Sequence, residues 1–590
     1  MGARQQHLAS SPPLEVLDVA RRLLGGLLLA SLACTAAHAQ LPPPIDPRIR
    51  SGEPPLLRTD EPRPPVPPSQ ILPPVPPAPP QQLEPLPGVR VLVREIRVVG
   101  STIFSAKELA RVTAPYVGRE VTAEDLEALR LTLTRLYVDR GYISSGAILP
   151  DQTVAEGVIT YQIVEGGLQG VTIEGNRWFR SSYFTRRFSL AGGPPLNVNE
   201  LQQRLQTFLE DPRIQRLNAE LRPGPRPGEA FLDVRVEERF PFHLWLSFDN
   251  YQPPSIGAER GLITLEHENL TGNGDVLTLR YGRSEGVDPL LDFRYALPFT
   301  ARDTTASFQY RRNTFTVIEE AFRELEIESK SEIFTLGLRQ PVYRTPSTEI
   351  ALELIGERLS QQSSLLGEPF SLSPGAQQGE STVTAIRSVQ EFVHRSQHQV
   401  IAGRSRFSVG VDALGATVNH EKDVPDGRFF AWLGQFQWVR RLPPLLDTQL
   451  IFRADLQLTP DALLTLEQLP IGGRYSVRGY RENTLVRDNA FLTSLEARVP
   501  VIRGVAWADY VQLAPFVDYG RGWNTKLPTE KPGDLPSVGI GLRWALSLQQ
   551  PFPLRPQLEV YWGYPLRDVE TAGKNLQDAG VHLQFVIGAF

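Results

Sequence analysis

Phe242-His243-Leu244-Trp245-Leu246-Ser247-Phe248-Asp249 puts Phe242, Leu244, Leu246 and Phe248 on one phase and His243, Ser247 and Asp249 on the other. Successive side chains of an extended chain point to opposite faces, so this stretch reads as a strand with one apolar face. The same period of two returns down the chain. Phe430, Trp432, Phe436 and Trp438 alternate with Gln435 and Gln437, and Ile540, Leu542, Trp544 and Leu546 with Gly541, Arg543 and Ser547. Leu558, Val560, Trp562 and Tyr564 alternate with Gln557, Glu559 and Gly563, and Val581, Leu583, Phe585 and Ile587 with His582 and Gln584. Beyond Arg239 the helical pattern stops, and the remainder divides into 16 such segments.

The connections separate the possible folds. Counting from Phe242, those after even strands are short: 269–273, 299–302, 341–345, 442–445 and 550–554. Those after odd strands are usually longer: 313–330, 358–381, 414–426, 459–486, 521–534 and 566–579. An even strand number with short turns at one end and long loops at the other is the pattern of a transmembrane β-barrel of the outer membrane. A soluble sandwich or propeller has no reason to sort its loops by parity. The predicted fold is therefore a barrel of about 16 antiparallel strands over 240–590.

Composition agrees once phase replaces run length. Hydrophobic residues make up 41% of the 590 and charged residues 22%. No apolar run reaches the ~18 residues of a membrane helix, whereas a barrel strand needs only about 9–11 alternating ones. Lys+Arg 61 against Asp+Glu 66 gives −5, which argues against a nucleic-acid partner. The lone cysteine, Cys34, excludes a disulfide scaffold and a Cys-based zinc site. The eight histidines form no ligand cluster, so no metal site and no cofactor are expected. Nor does the chain hold an H-E-x-x-H, G-x-S-x-G or phosphate-loop motif, and it is not read as an enzyme.

Residues 1–39 read as a signal peptide. Arg21-Arg22 flank the apolar Leu23–Ala33, and Ala37-His38-Ala39 offers small residues before a cleavage point at Gln40. A lipoprotein site at Cys34 is disfavoured by Ser31, which stands where such a site wants Leu. The segment 40–87 is a linker, with 19 prolines between Pro42 and Pro87 favouring an extended spacer.

Between linker and barrel lies a repeat with a 75-residue offset, giving one small domain over 88–166 and another over 167–239. Ile96, Val98, Gly100 and Phe104 align with Val171, Ile173, Gly175 and Phe179. Thr122 with Asp125, and Asn197 with Glu200, each place a capping residue three before an acid. Leu126, Leu129, Leu133 and Leu136 then make one helix face. The order β-α-α-β-β predicts a small sheet covered by two helices, whose edge could accept an extended segment by strand addition; the pattern fits two structural spacer domains without a ligand equally well.

Two stretches of the barrel region stand apart. The longest connection carries Gly472-Gly473-Arg474-Tyr475-Ser476-Val477-Arg478-Gly479-Tyr480, and two strands later comes Phe516-Val517-Asp518-Tyr519-Gly520. Phase places Asp518 in the lumen with Gln512, Ala514 and Phe516, and Glu496 in the lumen opposite in facing to Phe491, Leu495 and Val499.

With signal, spacer, paired modules and barrel, the chain resembles the outer-membrane transporters of two-partner secretion over about residues 88–590. Val477-Arg478-Gly479-Tyr480 matches that family's loop motif, Phe516-Val517-Asp518-Tyr519-Gly520 its strand motif, and Asn269-Leu270-Thr271-Gly272-Asn273-Gly274-Asp275 its first periplasmic turn. The resemblance implies that the modules are polypeptide-transport-associated (POTRA) domains in the periplasm. They would bind the N-terminal secretion domain of an adhesin- or haemolysin-like exoprotein that crosses the barrel unfolded. It further implies a loop folded into the lumen with Arg478 paired to Asp518. Other partners implied are outer-membrane lipid and, during biogenesis, the barrel-assembly machinery. Phe590 ends the last strand as assembly signals do, although out of phase with Val581, Leu583, Phe585 and Ile587. The prolines of 41–59 argue against a plug helix there. The alternative function is an assembly factor of the same superfamily, which would be expected to carry more than two modules.

Overall fold

The structure, a computed structural model, describes residues 90–589 except 155, 422, 444–446, 549–552 and 572–574. The signal peptide, the Pro-rich linker and Phe590 lie outside the described residues.

The first module runs β1 (Glu95–Val99), α1 (Ala106–Thr113), α2 (Ala123–Asp139), β2 (Gly146–Ile148) and β3 (Val158–Val164). A capping box starts α2: the Thr122 side chain accepts from the Asp125 amide and Asp125 reaches back to the Thr122 amide. Leu129, Leu133 and Tyr137 are fully buried along one face of this helix, with Leu126 and Leu136 beside them. The sheet order is β1–β3–β2, with β1 parallel to β3.

The second module repeats that plan with β4 (Gly167–Glu174), α3 (Ser181–Phe188), α4 (Val198–Leu209), β5 (Ile214–Pro223) and β6 (Glu229–Glu238). Its order is β4–β6–β5, again with the first strand parallel to the last. The cap of α4 differs from expectation. Asn197 accepts from the Asn199 amide and Glu200 closes no box, while the Asn197 side-chain amide donates to the Arg140 carbonyl of the first module.

Two repeated details shape the turn after the first strand of each module. Gly100 and Gly175 sit at φ +87° and +82°, and a Cβ there would lie 2.6 and 2.5 Å from the carbonyl oxygens of Ile163 and Val236. Two residues beyond those carbonyls, Glu165 accepts from the Thr102 and Ile103 amides at 2.7 and 3.2 Å. Glu238 likewise accepts from the Trp178 and Phe179 amides at 2.6 and 3.3 Å.

Sixteen antiparallel strands then close a barrel. They are β7 (Phe242–Asp249), β8 (Arg260–His267), β9 (Val276–Ser284), β10 (Val287–Pro298), β11 (Thr305–Thr316), β12 (Glu328–Arg344), β13 (Thr348–Leu365) and β14 (Glu380–Arg395). There follow β15 (Gln399–Gly410), β16 (Phe430–Leu442), β17 (Thr448–Leu458), β18 (Asn489–Val505), β19 (Ala508–Trp523), β20 (Asp534–Ala545), β21 (Leu554–Pro565) and β22 (Val581–Ala589). The seam pairs β22 with β7 from Gln584↔Asp249 to Ala589↔Leu244.

Phase sorts the wall into two surfaces. Leu336, Leu338, Leu352, Leu354 and Val517 project outward and are exposed, as lipid-facing residues must be, while Arg387, Gln435, Gln437, Glu496 and Asp518 are buried on the inner face. Several strands outrun the bilayer: β13 has 18 residues. The connections expected at 313–330 and 358–381 shrink accordingly, since pairing continues through Glu328↔Ser364 and Gln362↔Glu380. The turn expected at 341–345 is mostly strand, with β12 reaching Arg344. Outside the hydrocarbon no lipid enforces an apolar phase, so these polar extensions carry no alternation to read.

The second module is tied to the short turns. Arg187 of α3 donates to Asp303 at 2.8 Å and to the Thr300 carbonyl at 3.2 Å. Arg213 donates to the carbonyls of Glu268 and Gly274, on either side of the first turn, at 3.1 and 2.7 Å.

Candidate functional site in the barrel lumen

The connection between β17 and β18 folds inward rather than outward. Leu469–Ile471 pairs with Leu485–Arg487 as a small hairpin, which carries the tip between them. Ile471, Val477, Tyr480 and Leu485 bury against Ala490 and Leu492 of β18 and Leu535 of β20. Gly520 and Gly522 keep β19 bare where the loop lies on it; a Cβ on Gly520 would stand 2.5 Å from Ile471 and 2.8 Å from Val477. At the tip, Gly479 has φ +92°, and a Cβ would come within 2.8 Å of the Gly563 backbone of β21. The loop needs glycine there for conformation and for room.

That packing delivers Arg478 to the wall. Its Nε donates to Asp518 Oδ2 and its Nη2 to Asp518 Oδ1, both at 2.8 Å, and its backbone amide adds a third bond to Oδ2 at 3.0 Å. Nη1 donates to Glu496, and Nη2 also reaches Ser494 Oγ at 3.0 Å. The guanidinium lies 3.6 Å over the Phe516 ring. Glu496 is held as well by Arg498 at 2.6 Å and the Tyr561 hydroxyl at 3.1 Å. Arg478, Glu496 and Asp518 are each no more than 3% exposed. A planar guanidinium with two carboxylates and an aromatic face is the arrangement that makes a buried arginine tolerable. Of the other motif residues, Val477 sits in the apolar cluster, the Gly479 amide donates to His582 Nε2 at 3.3 Å, and the Tyr480 hydroxyl donates to the Pro536 carbonyl at 2.8 Å.

Three further ties were not singled out in the sequence. Arg387 on β14 donates to Glu357 of β13 at 2.8 Å, to Ser408 of β15 at 2.7 Å and to Glu467 of the inward loop at 2.9 Å. Arg474 reaches Glu559 of β21 at 2.8 Å, and Arg543 of β20 holds the other oxygen of that carboxylate at 2.7 Å. Arg481 bridges Asp578 and Glu319, which lie in two outer connections. The signal for Arg387 was present: it shares the inner phase with Val383, Ala385 and Val389, where a charge needs a partner.

Known proteins place this architecture. The model of the haemolysin secretion/activation protein ShlB/FhaC/HecB family matches residues 228–544, and that of the ShlB-type POTRA domain matches 91–166. The outer membrane transporter CdiB of Dickeya dadantii (strain 3937) is 28% identical over 412 residues, covering 67% of this chain and 70% of the relative. The heme/hemopexin transporter protein HuxB of Haemophilus influenzae (strain 86-028NP) is 30% identical over 280 residues, 46% of this chain and 47% of that one. The solved structure of CdiB from Escherichia coli shares the fold at TM-score 0.63 and 21% identity, covering 87% of this chain and 92% of that chain. A POTRA-bearing, 16-stranded barrel with more than half its length matched in this way belongs to the haemolysin secretion/activation protein ShlB/FhaC/HecB family and sits in the outer membrane with its modules in the periplasm.

Proposed function

We propose that the two modules receive an unfolded partner exoprotein in the periplasm, through its N-terminal secretion domain, and that the barrel passes it outward once the inward loop yields. The chain is an outer-membrane transporter of two-partner secretion, and its relatives carry transporter names. What supports the finer reading is the burial of a loop arginine on wall carboxylates inside the lumen, a contact of the kind a closed state would need. The outer strands of the sheets β1–β3–β2 and β4–β6–β5 suit recognition of an extended segment, which adds to a sheet edge by main-chain hydrogen bonds.

Secretion of a co-expressed partner is the test. Arg478→Glu and Asp518→Arg should each impair it, and unchanged secretion in both would sink the role given to the pair. Removing residues 90–239 should abolish secretion while leaving other outer-membrane proteins at normal abundance. A general loss of those proteins would instead favour the assembly-factor reading.

A further inference from the structure

Trp178 is an anomaly in the second module. Its backbone amide is clamped by Glu238, yet the residue is 41% exposed. An uncovered aromatic that joins a contiguous exposed apolar surface marks an interaction site.

The direction of the ring identifies that partner. Trp178 packs edge-to-face on Phe240, with centroids 5.8 Å apart, and on His267 at 6.3 Å. Phe240 continues the phase of Phe242, Leu246 and Phe248, the lipid-facing column of β7, and is itself 49% exposed. His267 pairs directly with Phe242, so it shares that outer face. The indole therefore extends the lipid-facing surface downward from the first two strands by one more aromatic. Its height is set from below, because the Arg180 amide bonds to the Gly272 carbonyl at 2.9 Å while Arg187 and Arg213 tie the module to the turns. Arg177 and Arg180, on the same turn, and Arg239, next to Phe240, are all exposed.

We infer that this face of the second module is a membrane anchor, with Trp178 and Phe240 at the headgroup level of the inner leaflet and the three arginines meeting phospholipid phosphates. Tryptophan favours that level because its ring is apolar while its N–H still finds a hydrogen-bond partner. Arginine pairs with phosphate oxygens through a planar fork. The anchor continues the barrel's own lipid belt, and it would hold the second module against the membrane while the first stays free of it.

The test uses the chain from Gln40 onward, which holds no native cysteine, reconstituted in vesicles of phosphatidylethanolamine and phosphatidylglycerol. A cysteine at Trp178→Cys carries an environment-sensitive fluorophore, and lipid bearing a nitroxide near the headgroup is the quencher. The label at 178 should lose about half or more of its emission, as expected at headgroup depth. Arg180→Cys, which keeps the indole, should behave the same, and Leu131→Cys on α2 should stay unquenched. Emission at 178 and 180 as insensitive to the quencher as at 131 overturns the proposal. So does shielding that appears only when a partner exoprotein is added, which would make the face a protein-docking surface.

Discussion

Truncating Arg478 to alanine leaves two carboxylates in unequal positions, and that inequality can be measured. Asp518 is 1% exposed and takes three bonds from Arg478, of which only the backbone amide survives the truncation. Glu496 keeps Arg498 and Tyr561. Breaking one side of a buried ion pair costs about 3–5 kcal/mol. At about 1.4 kcal/mol per tenfold, that raises the population of the released loop by roughly two to three and a half orders of magnitude. Asp518→Asn keeps an acceptor and loses charge-assisted bonds of about 1.5–3 kcal/mol, a shift of about ten- to hundredfold. Glu496→Gln leaves the bidentate Asp518 contact in place and should shift the loop less than Asp518→Asn. Val477, fully buried beside the Arg478–Asp518 pair, is the reporter: Val477→Cys, the sole cysteine once residues 1–39 are removed, reacts with a membrane-impermeant maleimide only when the loop leaves. The reasoning is refuted if Arg478→Ala labels at the wild-type rate, or if Glu496→Gln labels as fast as Asp518→Asn.

Three other outcomes follow from single contacts. Gly479→Ala adds a Cβ 2.8 Å from the Gly563 backbone at φ +92°, so it should loosen the tip and speed the same labelling without changing the heat-modifiable mobility of the folded barrel. Arg187→Ala breaks the tie to Asp303 and Thr300, and limited proteolysis should cut between the second module and β7 faster than in wild type. Glu165 has its pKa opposed by burial but lowered on balance by donors from Thr102, Tyr137 and Ile103. Its stabilising effect is present above the unfolded value near 4.5 and is lost as pH falls through the folded one. Glu165→Gln should thus cost stability at pH 7 and flatten the acid loss, read by thermal melts of the chain across that range.

Much of this was legible, and what was not has a physical reason. Strand count and parity could be read because lipid imposes a strict apolar phase, as in Phe242–Phe248. The same rule put Asp518 and Glu496 inside. Where lipid ends, the rule ends too, so the alternation marks only part of β12 and β13, which run to 17 and 18 residues. Glu238 and Glu165 escaped notice because a carboxylate that caps amides across a turn looks, in sequence, like any polar residue after a strand. Glu467 was hidden differently. It ends a short 3₁₀ turn in a loop, so no periodicity reports which wall it faces.

The ties on the inward loop also predict how it lets go. Glu467 is held by β14, while Arg478 is held by β18 and β19, and the two sets of bonds share no partner. Between them lie the small hairpin and an apolar cluster anchored on β18 and β20, so the base and tip are separately packed segments. Groups without shared partners couple by no more than about 0.5 kcal/mol, so each tie bears on its own segment. Arg387→Ala should therefore free the base, reported by Leu466→Cys, with little effect on the tip reporter Val477→Cys. The double variant with Arg478→Ala should label at each position as its own single variant does. A loop that moved as one lever would show the opposite: either single variant would open both reporters, and the double variant would open both further than either single does.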